Sequence, residues 1–344
     1  MNVLVLTNLA PFVRGGAEAL CEHLVLNLRR HGVNAEAMRI PFTWEPAERL
    51  IEEMLAARSL KLWNVDRTIV LKFPAYLVPW SDKVFWLVHQ FRQAYDLWDA
   101  GQSNIPRDAR GAVIRAAIQR ADDLAFAEAK AIFTISPQIS ERLRRYNGFD
   151  SVPLPMPLND PELFTGGAGD GFILASGRVN AAKRQHLLVR ALRHAPGVRL
   201  VVAGPPDAPE DAALLRRVAE EAGVQDRVTL DLRFLPRAEL ASLVNRALAV
   251  AYLPFDEDAV SYVTLEAFQA GKPVLTVGDA GGVLRAVRHG ETGLVVEPTA
   301  EALGAALCQL AANPAIALRM GAAGRDTLAS LGLTWTTIIE RLLA

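Results

Sequence analysis

The sequence predicts an α/β protein made of two Rossmann-like domains, and three observations carry that prediction. Short apolar runs alternate with helix-period segments, a pattern of parallel strands joined by right-handed helical crossovers. At 344 residues the chain is too long for one ordinary core and suits two. The alternation is interrupted at residues 151–171, SVPLPMPLNDPELFTGGAGDG, where proline and glycine concentrate as they do in an interdomain linker. The domains are expected at 1–155 and 156–332, with a last helical segment at 333–344.

Taken in order, residues 2–7, NVLVLT, form a buried strand. A loop with Pro11, Gly15 and Gly16 follows. Ala17, Leu20, Leu24, Val25 and Leu28 then recur at helical spacing until His31 and Gly32 end the helix. TIVLKF at 68–73 and KVFWLVH at 83–89 are strands, a helix covers the region near 106–129, and AIFTIS at 131–136 is a further strand. Beyond the linker, FILAS, VRLVVAG, RVTLDL and ALAVAYLP are strands, separated by helices near 182–194, 207–222 and 236–246. Tyr262 to Ala270 has apolar residues at helical spacing, and Gly271 with Pro273 ends that helix before the strand VLTV. LTWTTIIERLLA is a final helix with an aromatic anchor.

Composition narrows the class. Hydrophobic residues make up 51% and aromatic residues 7%, as in a soluble globular protein. A formal net charge of -1 argues against a nucleic-acid binder, which shows a basic excess. Cys21 and Cys308 lie far apart, so two small buried side chains in a reducing compartment are expected rather than a disulfide. No apolar run reaches the roughly 18 residues of a membrane span. MNVLVLTNLAPFVRGG opens without a basic region and is broken by Asn8 and Pro11, so no signal peptide is expected and the localisation is expected to be cytoplasmic.

The run LPFDEDAVSYVTLEAFQAGKPVLT holds the most chemistry. Asp258 follows the strand ALAVAYLP, and Glu266 stands within the first turns of the next helix. The carboxyl ends of parallel strands are where such sheets bind ligands. A carboxylate there accepts hydrogen bonds from two hydroxyls, which suits ribose or hexose. The restart of the second domain, ILASGRVNAAKRQHLLVRAL, places Gly177, Arg178 and Lys183 where a strand ends and a helix begins, an arrangement that suits an anion. The alternative for those two cations is a solvated surface.

The ordered set Gly177-Arg178, Lys183, Asp258, Glu266-Ala267 and Gly271-Lys272-Pro273-Val274 resembles the retaining glycosyltransferases of the GT-B fold, glycosyltransferase family four (glycosyl transferases group one). GDAGG at 278–282, HGETGLVVEP at 289–298 and the loop RGGAE at 14–18 also match, so the resemblance spans nearly the whole chain. It implies two Rossmann-like domains facing a central cleft, with the first binding the acceptor and the second the donor. The segment 333–344 would cross back to the first domain with Trp335 as its anchor, and the domains would close about the linker. The resemblance also implies roles. Arg178 and Lys183 would bind the donor diphosphate, and Glu266 the ribose hydroxyls. Asp258 and His89 would contact the transferred sugar. The backbone of Val260, Ser261, Tyr262 and Val263 would approach sugar and phosphates, and Gly15 and Gly16 would let the first loop close.

Each residue has a plainer alternative. His89 can be a satisfied rim histidine, and the Gly15-Gly16 loop can cap an ordinary strand–helix unit. Asp256 and Glu257 are expected to be a solvated loop rather than ligands. A buried Glu266 would need a polar partner. Arg107, Arg110, Arg115 and Arg120 fit a solvated helix face better than a surface for an acidic membrane or an anionic acceptor. Three positions depart from the pattern: Asp258 where Glu is common, Ser261 where Gly is usual, and Arg285 where Glu often stands.

The expected activity is transfer of a sugar from a nucleotide diphosphate sugar to an acceptor hydroxyl with retention, in polysaccharide, lipopolysaccharide or glycoconjugate assembly. No cofactor and no metal are expected. The partners are the donor and a carbohydrate, lipid-linked or small-molecule acceptor, with peripheral contact at the inner face of a membrane as a variant. Two rivals stand beside this: a nucleotide-sugar-binding partner subunit without turnover, and a dinucleotide-dependent oxidoreductase, whose GxGxxG turn VRGGAEAL does not reproduce.

Overall fold

The computed structural model describes residues 1–12 and 14–344. It contains two compact units, Met1–Pro157 with Thr334–Ala344, and Leu158–Leu333.

The first unit runs β1 (Asn2–Leu9), α1 (Gly16–Arg30), β2 (Asn34–Pro41), α2 (Leu50–Arg58), β3 (Arg67–Lys72), β4 (Lys83–His89), α3 (Asp96–Asp99), α4 (Ala109–Ala127), β5 (Ala131–Thr134), α5 (Pro137–Asn147) and β6 (Val152–Pro153). Its sheet has the order β2-β1-β3-β4-β5-β6, and every pairing is parallel. The expected strands are present as central strands. Arg67 to Leu71 and Lys83 to Val88 are continuously buried, as a sheet covered on both faces requires. The strand expected at 131–136 stops at Thr134, because Ser136 caps α5, its Oγ accepting from the Ile139 amide at 3.3 Å. Edge strand β2 has no apolar run, with only Ala35 buried, and it is held by register with β1 from Asn2↔Asn34 onward.

The second unit runs β7 (Phe172–Ser176), α6 (Gln185–Ala191), β8 (Arg199–Ala203), α7 (Pro209–Ala222), β9 (Val228–Asp231), α8 (Arg237–Arg246), β10 (Ala249–Ala251), α9 (Tyr262–Gln269), β11 (Val274–Val277), β12 (Gly293–Val296), α10 (Ala300–Ala312) and α11 (Pro314–Ser330). Its sheet order is β12-β11-β10-β7-β8-β9, again all parallel. Ile173, Leu174, Val250, Leu275 and Leu294 from the sheet pack with Val189, Leu215, Leu265, Phe268 and Leu307 from the helices in one buried cluster. The first strand, β7, has β8 on one side and β10 on the other. The chain therefore winds away from the β7–β10 pair in both directions, and such a reversal opens a crevice at the carboxyl ends of those strands.

The last helix, α12 (Trp335–Leu343), packs within the first unit. Trp335 meets Trp86 edge-on at 6.0 Å and stacks on His23 at 6.4 Å, while Ile338, Ile339 and Leu342 are fully buried. Arg67 Nη1 donates to the carbonyls of Leu342 at 3.1 Å and Ala344 at 3.2 Å. Both cysteines are free thiols, and burial pushes that of Cys21 up to about 11. No single helix among the described residues is long and apolar enough to cross a membrane.

Candidate active site

In the second unit the predicted residues gather where β7 and β10 end. Gly177 leaves β7 with φ +104, a conformation that favours glycine, and so turns the chain sharply into the loop ahead of α6. Asp207, after β8, organises that loop. It accepts from Arg178 Nη1 at 3.1 and 3.0 Å and from Asn180 Nδ2 at 2.8 Å, while Asn180 Oδ1 accepts from the Lys183 amide at 3.0 Å.

Lys183 reaches across to the neighbouring strand. Its Nζ donates to the Tyr252 hydroxyl at 2.8 Å, lies over the Tyr252 ring at 5.1 Å, and pairs with the Glu257 carboxylate. The Tyr252 hydroxyl in turn donates to Glu257 Oε2 at 2.9 Å. Burial pushes the Tyr252 phenol well up, and the Glu257 charge adds to that, while a hydrogen bond with Ser261 and the Arg178 charge oppose it. Arg178, Lys183 and Ser261 thus converge on one tyrosine. The expectation that Glu257 belongs to a solvated loop is corrected here, because its carboxylate is the partner of both Lys183 and Tyr252. A bridge to Gly281 holds the loop in place: Gly282 N donates to Glu257 O at 2.6 Å and Asp256 N to Asp279 O at 2.9 Å.

Arg184, in the left-handed region at φ +53, locks the same loop from the other side. Its guanidinium binds both oxygens of Asp279, at 2.9 and 2.6 Å, and the carbonyls of Leu253 at 2.9 Å and Pro254 at 2.6 Å. Asp258 stands half-buried in the loop between β10 and α9, with Val260 two residues on. Ser261 caps α9, its Oγ accepting from the Thr264 amide at 3.3 Å, and Tyr262 and Val263 form the helix's first turn. Serine does here what Gly at this place could not, since it supplies a capping oxygen.

Glu266 is 3% exposed, and it has the polar partner its burial demands: Arg237 Nη1, from the start of α8, bonds Oε1. Burial pushes the Glu266 carboxyl up and the Arg237 charge and hydrogen bond oppose the rise. Arg285 is exposed on the turn that follows Gly281-Gly282. Among the described residues no group of three or more His, Cys, Asp or Glu side chains could hold a metal ion.

In the first unit, Gly15 is the N-cap of α1 and Gly16 its first residue, and the Gly15 amide donates to Glu18 Oε2 at 2.8 Å. Val13 of the same loop lies outside the described residues. His89 ends β4 opposite Lys72. Its Nδ1 lies 2.7 Å from the Gln90 carbonyl, a contact in which Nδ1 donates. Behind it runs a buried chain. Gln90 Nε2 donates to Asn147 Oδ1, Asn147 Nδ2 donates to the Tyr95 hydroxyl at 3.2 Å, and Asp122 accepts from Tyr95 at 2.7 Å and Tyr76 at 2.9 Å. Arg107, Arg110 and Arg120 are exposed, as a solvated face requires, and Arg115 is half-buried. Arg107 and Arg115 lie over the Trp98 ring at 5.6 and 5.3 Å, and Arg115 Nε donates to the Ala94 carbonyl at 2.9 Å.

Sequence reasoning did not single out Tyr252, Asp207, Arg184, Arg237, Gln90 or Asp122. A tyrosine closing the apolar run ALAVAYLP was the one available signal, since a phenol that deep requires a partner. The others are recognisable only once strands and helices distant in sequence are brought side by side.

Two Rossmann-like units, each built on a parallel sheet, define the GT-B fold class. Residues 166–327, nearly all of the second unit, match the family described as glycosyl transferases group 1. Across 178 residues the chain is 36% identical to D-inositol 3-phosphate glycosyltransferase of Mycolicibacterium paratuberculosis, covering 49% of this chain and 38% of that protein. The chain thus spans well under half the length of this curated relative. Among solved structures it is similar to sucrose-phosphate synthase of Thermosynechococcus elongatus, with TM-score 0.78 and 20% identity over 99% of this chain and 97% of that one. It is also similar to Anabaena HepE in complex with UDP-glucose, with TM-score 0.70 and 16% identity over 100% and 98%. The chain has the GT-B fold.

Proposed function

We propose that this protein transfers a sugar from a nucleotide diphosphate sugar to an acceptor hydroxyl of a carbohydrate, a lipid-linked molecule or a small molecule, with retention at the anomeric carbon. The observation that carries the reading is the contact of Lys183 Nζ with the Tyr252 hydroxyl, 2.8 Å across the ends of β7 and β10, with Arg178 beside it and Glu266 on the following helix. Two cations at a topological switch point suit a diphosphate, and a nearby buried acid suits a ribose. The UDP-glucose bound by the similar HepE structure supports a nucleotide-sugar donor.

In this reading Arg178 and Lys183 meet the charge that grows on the leaving diphosphate as the glycosidic bond breaks, so they act more strongly in the transition state than in the ground state. Asp258 orients the sugar hydroxyls. No protein nucleophile is assigned; a donor phosphate oxygen on the acceptor's face takes the acceptor proton, which accounts for retention.

A thermal-shift screen of UDP-, GDP-, ADP- and TDP-sugars identifies the donor, because a ligand that binds the folded state alone raises the melting temperature. Transfer is then followed with that donor, and the anomeric configuration of the product is read by NMR. An inverted product would refute retention. Donor binding with neither transfer nor hydrolysis would favour a partner subunit without turnover.

A further inference from the structure

Arg237 opens α8, and its guanidinium is engaged on several sides. Nη1 bonds Glu266 Oε1, Nη2 donates to the Asn159 carbonyl at 2.8 Å, Nε faces the Asp160 carboxylate at 3.5 Å, and the group lies over the ring of the buried Phe164 at 4.7 Å. Three separate stretches of chain, Asn159–Phe164, α8 and α9, therefore meet at one cation. Of the two Glu266 oxygens, Oε1 is taken by Arg237, and Oε2 makes no hydrogen bond among the described residues.

We propose that Arg237 is the positioning residue of the nucleotide site: it keeps Glu266 ionised and holds one of its oxygens, so that the other accepts hydrogen bonds from the ribose. This rests on the ribose role proposed above for Glu266. The physical case is a choice between two states of one acid. A carboxyl buried this deeply takes up a proton unless a counter-charge holds it ionised. Once protonated, it loses acceptor capacity that two ribose hydroxyls would use. Arg237 is the charge that opposes the effect of burial on Glu266. The other charged or titratable groups around the pair are Asp160, on the far side of the guanidinium, and Tyr262 on α9, whose phenol burial pushes upward so that it stays protonated. Of the pair, Glu266 is the group whose carboxyl burial pushes up, so the dependence on pH is assigned to it.

Arginine suits this place better than lysine. Its planar fork reaches an acid and a carbonyl at once while its face rests on an aromatic ring, and a single ammonium cannot do all three. Lysine would restore the charge without the geometry.

The test uses the full chain and calorimetry with UDP, GDP and ADP, each beside its 2′,3′-dideoxy form. The wild-type protein should prefer the ribose form of the nucleotide it binds. Arg237→Met should weaken that form by roughly tenfold or more at slightly acid pH, the scale of one charge-assisted hydrogen bond. It should leave the dideoxy form unchanged, and the deficit should narrow as pH rises and Glu266 ionises again. Arg237→Lys should recover part of the loss, and Arg237→Met should add nothing in a Glu266→Gln background. Equal losses for ribose and dideoxy forms, or a loss independent of pH, would make Arg237 merely structural and overturn the inference while the ribose reading stands. A Glu266→Gln protein that still prefers ribose, or a wild-type protein that binds none of the three, would overturn the ribose reading itself. If Arg237→Met does not fold, two variants carry the test. Arg237→Lys must weaken the ribose form selectively, and Arg237→Met/Glu266→Gln, which leaves no buried charge, must match Glu266→Gln in affinity.

Discussion

At the scale of single residues, the second unit's site balances its charges in pairs: Arg178 with Asp207, and Lys183 with Glu257. In the proposed reading an entering diphosphate competes with Glu257 for Lys183. Glu257→Gln should therefore tighten UDP or pyrophosphate binding several-fold, the worth of a partly exposed charge contact. Unchanged affinity in calorimetry would place the phosphate away from Lys183. Lys183→Ala should lower turnover by about a hundredfold or more while binding of the nucleoside alone changes little. Equal losses in both would remove the phosphate role.

In the first unit, burial pushes Asp122 up to about 7 despite its two tyrosine donors. An unfolded aspartate titrates near about 3.9. Between those values the folded protein holds a proton that the unfolded chain has released. The contribution to stability is thus complete below about pH 4 and is lost as pH rises through about 7. Asp122→Asn should flatten the fall in stability across that window by a few kcal/mol. Urea titrations at several pH values compare the two proteins, and identical slopes would mean that Asp122 stays ionised.

At the scale of elements, the decisive pieces are the turns after strands. The strand cores are interchangeable apolar runs, but the turns after β7, β10 and β11 carry the chemistry. Gly281 shows why the last of these is constrained. It has φ +67, and a Cβ there would come within 2.5 Å of the Glu257 carbonyl oxygen and 2.6 Å of its amide. Gly281→Ala should cost about 1–3 kcal/mol and disturb the loop that presents Glu257 and Asp258. Thermal denaturation and nucleotide affinity would both register it, and a substitution neutral in both would show that the loop relaxes freely. Elements also differ in legibility. β4 is readable because its apolar run is continuously buried, and α9 because Gly271 and Pro273 mark its end, whereas β2, with a single buried alanine, owes its existence to the edge of β1. The helices α10 and α11 are rich in alanine and leucine, and nothing in the expected motifs required them.

At the scale of the whole molecule, the chain returns to its beginning. The first unit is completed by Thr334–Ala344, after the entire second unit has been made. Removing that segment should uncover Trp86 and the surface of α1, and it deprives Arg67 of two carbonyl acceptors. With Ile338, Ile339 and Leu342 each contributing roughly 1.5–3 kcal/mol by burial, the truncated protein should lose several kcal/mol of stability in the first unit. Hydrogen exchange would place the loss in β1, β3 and α1, and a truncated protein as stable as the full chain would refute the role of the helix.

The sequence by itself determined the α/β class, the parallel strands and the resemblance to a family, because apolar periodicity and ordered motifs are local properties that survive without a structure. It also placed Arg178, Lys183, Asp258 and Glu266 near the ends of strands, since such positions follow from where an apolar run stops. Only the tertiary structure decided what those residues touch. Tyr252 gathers Lys183, Glu257 and Ser261 because β7 and β10 are neighbours despite the 72 residues between Ser176 and Ala249. Arg237 meets Glu266 because α8 and α9 pack against each other, and Asn147 reaches Gln90 because α5 packs on β4. A charge in a sequence is only a charge. Its ionisation and orientation depend on how deeply folding buries it and which partner the sheet order brings alongside.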